Sequence, residues 1–194
     1  LNLSEIGQIA GRAGRYLNDG SFGITGECKE ITAEDVDLLE SHKFEEIRTL
    51  YWRNSNLNFN NSSSLIKSLD EKPHMEWLRK IHECEDEKAL KYFLKDNNIV
   101  NIKFDEKTLK LLWECCQIPD FVKKTYGNHY EVIRSVFKFL SGDKRVISND
   151  YMRLQLMKLD KLDGNVDSLS NRIANVRTWS YVSNKNNWVE NQDY

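Results

Sequence analysis

The chain has 194 residues, of which 40% are hydrophobic and 30% charged, so its composition is that of a folded globular protein rather than a disordered one. This length suits one large domain or two small ones. No apolar run approaches the roughly 20 residues that a membrane span needs, and no basic-then-apolar leader opens the chain. We therefore expect no membrane partner and a cytoplasmic location, or a mitochondrial one if the source is a eukaryote. Because the chain opens at Leu1 without an initiator Met, we expect a fragment of a longer protein.

Charge is divided unevenly along the chain, although the net charge is only -2. Residues 1–100 carry 13 Lys and Arg against 18 Asp and Glu, and residues 101–194 carry 15 against 12. Neither half has the strongly basic field of an autonomous nucleic-acid-binding domain. Any nucleic-acid contact is therefore expected to use a few placed residues, or a surface outside this chain.

Cysteine and histidine spacing argues against a metal site. The cysteines form no C-x-x-C pair, and the four histidines are scattered without ligand spacing. The sequence therefore predicts no bound metal and buried free thiols in a reducing compartment at Cys28, Cys84, Cys115 and Cys116.

The first predicted elements surround a glycine-rich opening. Ser4 is a plausible N-cap for a helix that runs to about residue 17. Alternating apolar residues then predict a short strand near residues 21–26. Thr32, with Asp35 three residues later, predicts a capped helix.

Helical periodicity dominates from about residue 64 onward, and strand-like alternation is rare. The pattern therefore predicts a mainly α fold with one small β element. A boundary near residues 50–62 separates the glycine-rich opening from the helical remainder. The predicted helices after it are 64–71, 74–84, 86–95, 105–117 (capped by Asp105), 128–140, 149–162 and 166–182.

The stretch GQIAGRAGRY, residues 7–16, contains the candidate ligand-binding and catalytic residues. Gln8, Arg12 and Arg15 are spaced i, i+4 and i+7, which on one continuous helix would align them in a stripe. Two guanidiniums and an amide aligned in this way suit an anionic, oxygen-rich ligand such as phosphate. The alternative is a small-residue helix packed on a neighbour, with its arginines solvated or paired with Glu5 or Asp19.

The string QIAGRAGR resembles motif VI of DExH-type superfamily 2 helicases, whose pattern is Q-x-x-G-R-x-G-R. The residues at the defining positions of that pattern are Gln8, Gly11, Arg12, Gly14 and Arg15. The later stretches FEEIRTLYWRNSNLNF, LWECCQIPDF and DGNVDSLSNRIANVRTWSYV are similar to the region after motif VI in bacterial-type Suv3-like helicases. The resemblance implies that residues 1–55 form the C-terminal edge of the second RecA-like domain. Residues 56–194 would then be a helical bundle domain.

The resemblance also implies roles for the motif residues. Arg15 would be the main arginine finger toward the ATP γ-phosphate, and Arg12 a second contact to phosphate or to acidic residues of the first RecA-like domain. Gln8 would be a polar contact to the nucleotide or its water, and Gly11 part of the nucleotide site. ATP and Mg²⁺ would be held by the first RecA-like domain, the implied partner. This chain has neither a G-x-x-x-x-G-K-[S/T] loop nor a D-E-x-H or D-E-x-D box, so by itself it should bind neither cofactor and hydrolyse no ATP.

The resemblance places the helical region beside a channel for single-stranded RNA or DNA. Arg172, Arg177 and Trp179 are candidate contacts, because aromatic rings beside arginines can stack on bases. The alternative is core packing for Trp179 and ordinary surface for the arginines. For the whole chain, the alternative to a helicase segment is a non-enzymatic helical adaptor that binds RNA or protein.

Overall fold

The structure is a computed structural model, and the residues that it describes are 1–14, 18–96, 104–121, 126–160 and 164–190. Within those ranges the chain forms eight helices and two short strands, which confirms the prediction of a mainly α fold. The chain divides into two compact units, Leu1–Leu50 and Tyr51–Tyr194. None of the helices in the described ranges is long and apolar enough to cross a membrane.

The first unit contains two short helices, α1 (Leu3–Ala10) and α2 (Ala33–Glu40). The predicted cap of α2 is confirmed: Thr32 Oγ1 accepts a hydrogen bond from the Asp35 N–H at 3.1 Å, and the Asp35 carboxylate accepts one from the Thr32 N–H. The strand predicted near residues 21–26 is wrong. The chain there pairs with no strand among the described residues, and an isolated extended segment is not a stable strand.

The second unit holds a two-stranded parallel sheet and six helices among its described residues. The strands are β1, which begins at the unit boundary (Leu50–Trp52), and β2 (Leu78–Lys80). The helices are α3 (Ser62–Leu69), α4 (Glu85–Phe93), α5 (Glu106–Cys116), α6 (Tyr126–Ser141), α7 (Asn149–Leu159) and α8 (Val166–Ser183).

Strand β2 replaces the helix predicted over 74–84. The N–H of Ile81 donates to the carbonyl of Trp52 at 2.9 Å, which joins the end of β2 to β1. Leu78 and Lys80 are half-buried and Arg79 between them is exposed, an alternation that suits a strand. The partner strand lies some 30 residues earlier, so local periodicity did not reveal it.

A single hydrophobic core joins the helices of the second unit. The predicted helices 86–95 and 105–117 are confirmed as α4 and α5, and Asp105 Oδ1 caps α5 by accepting from the Thr108 N–H at 2.9 Å. The C-terminal segment also packs here, because the Ile147 N–H donates to the Trp188 carbonyl at 2.7 Å. The fully buried large side chains of this core are Leu65, Leu69, Leu90, Phe93, Leu112, Ile118, Ile133, Phe137, Ile147 and Met152.

Candidate functional site

Helix α1 holds the first part of the motif and is shorter than the sequence predicts. Asn2, rather than Ser4, is its N-cap: Asn2 Oδ1 accepts from the Glu5 N–H, and the Glu5 carboxylate accepts from the Asn2 N–H, each at 2.9 Å. The helix ends at Ala10, and Gly11 is its C-cap. The prediction of a helix to about residue 17 is therefore wrong.

The early end of α1 changes how the motif residues are arranged. Gln8 lies on the helix and is exposed, whereas Arg12 is exposed on the turn that follows, so the two do not share a helical stripe. In that turn the Arg12 N–H donates to the Ile9 carbonyl at 3.1 Å. Arg15, the predicted arginine finger, lies outside the described residues. Glu5, one of the carboxylates considered for pairing with the arginines, closes the capping box instead.

Three motif glycines lie where a side chain would meet neighbouring atoms of the first unit. A Cβ on Gly7 would lie 2.7 Å from the Phe44 ring. A Cβ on Gly14 would lie 2.8 Å from the Asn18 carbonyl oxygen, and one on Gly11 would lie 3.2 Å from the Gly7 carbonyl oxygen. The glycines therefore allow this segment to pack closely within the first unit, and this packing explains their presence without a bound ligand.

The first unit buries little of its apolar surface. Among residues 1–14 and 18–50, Leu39 alone is buried, at 5% exposure. A groove in this unit is lined by apolar side chains from α1 and from the segment 22–31. Large apolar side chains that remain exposed in the unit are Leu1, Ile9, Phe22, Ile24, Ile47 and Leu50. A unit with so small a core is not expected to be stable without further covering.

Trp179, the candidate base-stacking residue, lies in the core of the second unit. It is 4% exposed and packs edge-to-face on Tyr151, with ring centroids 6.0 Å apart. The alternative interpretation of Trp179, core packing, is therefore confirmed, and its ring presents no free face for a base. Arg177 is an exposed residue, and its guanidinium lies 4.1 Å from the centroid of the Phe121 ring. Arg172 is half-buried, and its Nε is buried without a hydrogen-bond partner in the described structure.

Arg53 belongs to a polar cluster that the sequence did not reveal. Its Nη1 donates to Asp86 Oδ2 at 2.8 Å, its Nε lies 3.3 Å from Glu87 Oε1, and its guanidinium lies 5.0 Å from the centroid of the Trp113 ring. Burial disfavours the charged guanidinium, but the hydrogen bond to Asp86 and the two carboxylates outweigh it and raise the pKa of Arg53. The cluster ties the segment after β1 to α4 and α5, which is a structural role.

Among the residues that the structure describes, the thiols and acidic groups form no recognisable metal site. No group of three or more His, Cys, Asp or Glu side chains that could hold a metal occurs among the residues with described positions. Cys115 and Cys116 are buried as free thiols, and burial raises the pKa of both well above the usual range. The prediction of a buried thiol is wrong at Cys28, which is exposed, and Cys84 is only half-buried.

Comparison with known proteins identified no relative of this chain. No protein-family model, curated protein or solved structure matches the chain. The features that indicate a function are the motif, the exposure of Gln8 and Arg12, and the small core of the first unit.

Proposed function

We propose that this chain is the C-terminal segment of a Suv3-like DExH helicase that acts on RNA or DNA. The motif Q-x-x-G-R-x-G-R supports the proposal through its five matched positions. The observation that carries it is that Gln8 and Arg12 are exposed on a unit that buries only Leu39 among its described residues. The edge of a larger domain would have so small a core when taken alone, because the rest of that domain would cover its apolar faces.

In this proposal the motif side chains act on a nucleotide held by another domain. Arg12 has a fork of N–H donors suited to phosphate oxygens, and Gln8 can donate and accept hydrogen bonds beside it. Arg15 would approach the transferring phosphoryl group and stabilise the negative charge that develops there. The bound Mg²⁺ would neutralise charge on the phosphates. The chain lacks the loop and acidic box for holding these groups, so the isolated 194 residues should show no ATPase activity and at best weak, salt-sensitive nucleic-acid binding.

The decisive experiment uses the natural full-length protein and the variant Arg15→Ala. We expect the variant to lose RNA-stimulated ATPase activity by about 10³-fold or more, as when other arginine fingers are removed, and to keep RNA binding. The matched control is Arg48→Ala, since Arg48 is an exposed arginine of the same unit outside the motif. Unchanged turnover in Arg15→Ala would overturn the assignment.

The reading frame upstream of Leu1 separates this proposal from the adaptor alternative. A helicase requires a Walker loop and a D-E-x-[H/D] box in that upstream sequence. A start codon directly before Leu1 would leave the chain without a nucleotide site and favour a non-enzymatic adaptor.

A further inference from the structure

Helix α8 has apolar residues on two opposite faces. The face toward the core carries Ala174, Thr178 and Val182, whose exposures are 8%, 4% and 0%. The opposite face is apolar and exposed, and we refer to it as the α8 stripe. Its members are Val166 (80% exposed), Leu169 (50%), Ile173 (55%) and Val176 (46%).

The spacing of the α8 stripe is that of a helix-pairing seam. Successive members are separated by three, four and three residues, the spacing of the a and d positions of a heptad. Such residues lie along one side of a helix and fit the apolar face of a second helix. The buried side chains of α8 are Ala174, Thr178, Trp179, Val182 and Ser183, and none of them belongs to the stripe. Because Ser183 occupies the next d position and is buried, the seam available to a partner ends at Val176.

The charges beside the α8 stripe are basic. Arg172 and Arg177 occupy the g and e positions that flank Ile173 and Val176, whereas Ser170, at the other e position, is uncharged. Arg172 Nε has no hydrogen-bond partner within the described part of the chain, although it is buried. The residues that border the seam, Arg172 and Arg177, are positively charged, so carboxylates on a partner helix would complement them.

A second copy of the chain is a poor occupant of this seam. In a parallel pair of α8 helices Arg172 would face Arg177 of the other copy. In an antiparallel pair each arginine would face its own counterpart. Either arrangement places like charges together, which disfavours self-association and favours a different partner.

We propose that the α8 stripe binds an amphipathic helix of a partner protein, with apolar residues at its a and d positions and Asp or Glu at its e and g positions. The apolar seam provides the affinity and the two arginines select the acidic partner. This inference is independent of the helicase proposal, because it uses neither the motif nor a nucleotide.

The first test uses a designed peptide of about four heptads with Leu at a and d and Glu at e and g, and a matched peptide with Lys at e and g. Fluorescence anisotropy with the full chain should show binding of the Glu peptide alone, weaker at higher salt. Ile173→Ser should weaken that binding by at least about tenfold, because the serine removes apolar contact area. Ile47→Ser is the matched control, since Ile47 is 80% exposed in the first unit, and it should bind normally.

The second test reverses the charge at the edge of the seam. The double variant Arg172→Glu with Arg177→Glu should bind the Lys peptide and reject the Glu peptide, with circular dichroism verifying that the variant is folded. The proposal would be overturned by equal binding of both peptides, or by binding of neither peptide to the folded protein. It would also be overturned if Ile173→Ser abolished dimerisation of the chain. The same holds if both peptides fail to bind and Ile173→Ser abolishes binding of single-stranded RNA. None of these results depends on Arg15, so they leave the ATPase experiment unaffected.

Discussion

Nε of Arg53 lies 3.3 Å from Oε1 of Glu87, a carboxylate whose side chain is only 2% exposed. This contact is an ion pair without an aligned hydrogen bond, because Glu87 Oε1 has no hydrogen-bond partner within the described structure. Burial raises the pKa of Glu87, and the charge of Arg53 opposes that shift. The charge of Arg53 therefore favours the ionised form of Glu87 and opposes the effect of burial.

Replacing Arg53 should destabilise the second unit by leaving Glu87 without its cation. We expect Arg53→Ala to lower the free energy of unfolding by about 2–3 kcal/mol, less than for a fully buried pair because the Arg53 side chain is 27% exposed. Urea unfolding followed by circular dichroism measures the change, with the exposed Arg79→Ala as control. Adding Glu87→Gln to Arg53→Ala should recover part of the loss. A double variant less stable than Arg53→Ala would contradict this account.

His129 should make stability depend on pH near neutrality. Burial lowers the pKa of His129 from 6.5, and the Asp120 charge and a hydrogen bond with the backbone of Ile118 offset this only in part. Between the folded-state and unfolded-state pKa values of His129, the folded protein binds fewer protons than the unfolded chain, so the free energy of unfolding rises with pH. This contribution to stability is lost as the pH falls below about 6.5. Urea titrations from about pH 7.5 to pH 5.5 should show this slope.

The variant His129→Gln isolates the contribution of that side chain. It should flatten the slope, because glutamine does not titrate in this range. His74→Gln, at an exposed histidine, should retain the wild-type slope. An equal slope in wild type and His129→Gln would assign the pH dependence to other groups.

Gly20 should be intolerant of a side chain although it is exposed. A Cβ at this position would overlap the backbone of Ala13 and Gly14, which cannot move away as a flexible side chain can. We expect Gly20→Ala to cost about 1–3 kcal/mol locally and to increase proteolytic cleavage within Leu1–Leu50. Gly23→Ala is the control, because no atom lies within 4 Å of the added Cβ. Equal cleavage of the two variants would show that the close backbone approach is unimportant.

The four cysteines should separate by reactivity with Ellman's reagent. Cys28 is exposed and should react first, whereas Cys84 is half-buried, its pKa is raised by burial, and it should react more slowly. Cys115 and Cys116 should react only after unfolding, since burial raises the pKa of both thiols. Cys28→Ser should remove the fast phase alone. Reaction of all four thiols in native protein would contradict the placement of α5 in the core.

The exposure of the α8 stripe shows why periodicity gives only part of a fold. The pattern of Leu169, Ile173 and Val176 marks an apolar stripe, but Ala174 and Val182 on the opposite face are the residues buried in the core. An apolar stripe shows that a helix has a face to cover and does not identify what covers it. The same limit applies to Trp179, whose core position depends on Tyr151, 28 positions earlier in the chain.

Local sequence was enough to predict the helices that carry their own capping signals, such as α2 with Thr32 and α5 with Asp105, because a cap is a contact between residues three positions apart. It also determined the motif pattern and the mainly helical character. Tertiary structure decided where α1 ends, that β2 is a strand, and which partners surround Arg53. Asp86 lies 33 residues from Arg53 along the chain, and no local periodicity encodes a contact at that separation. Only packing brings such residues together.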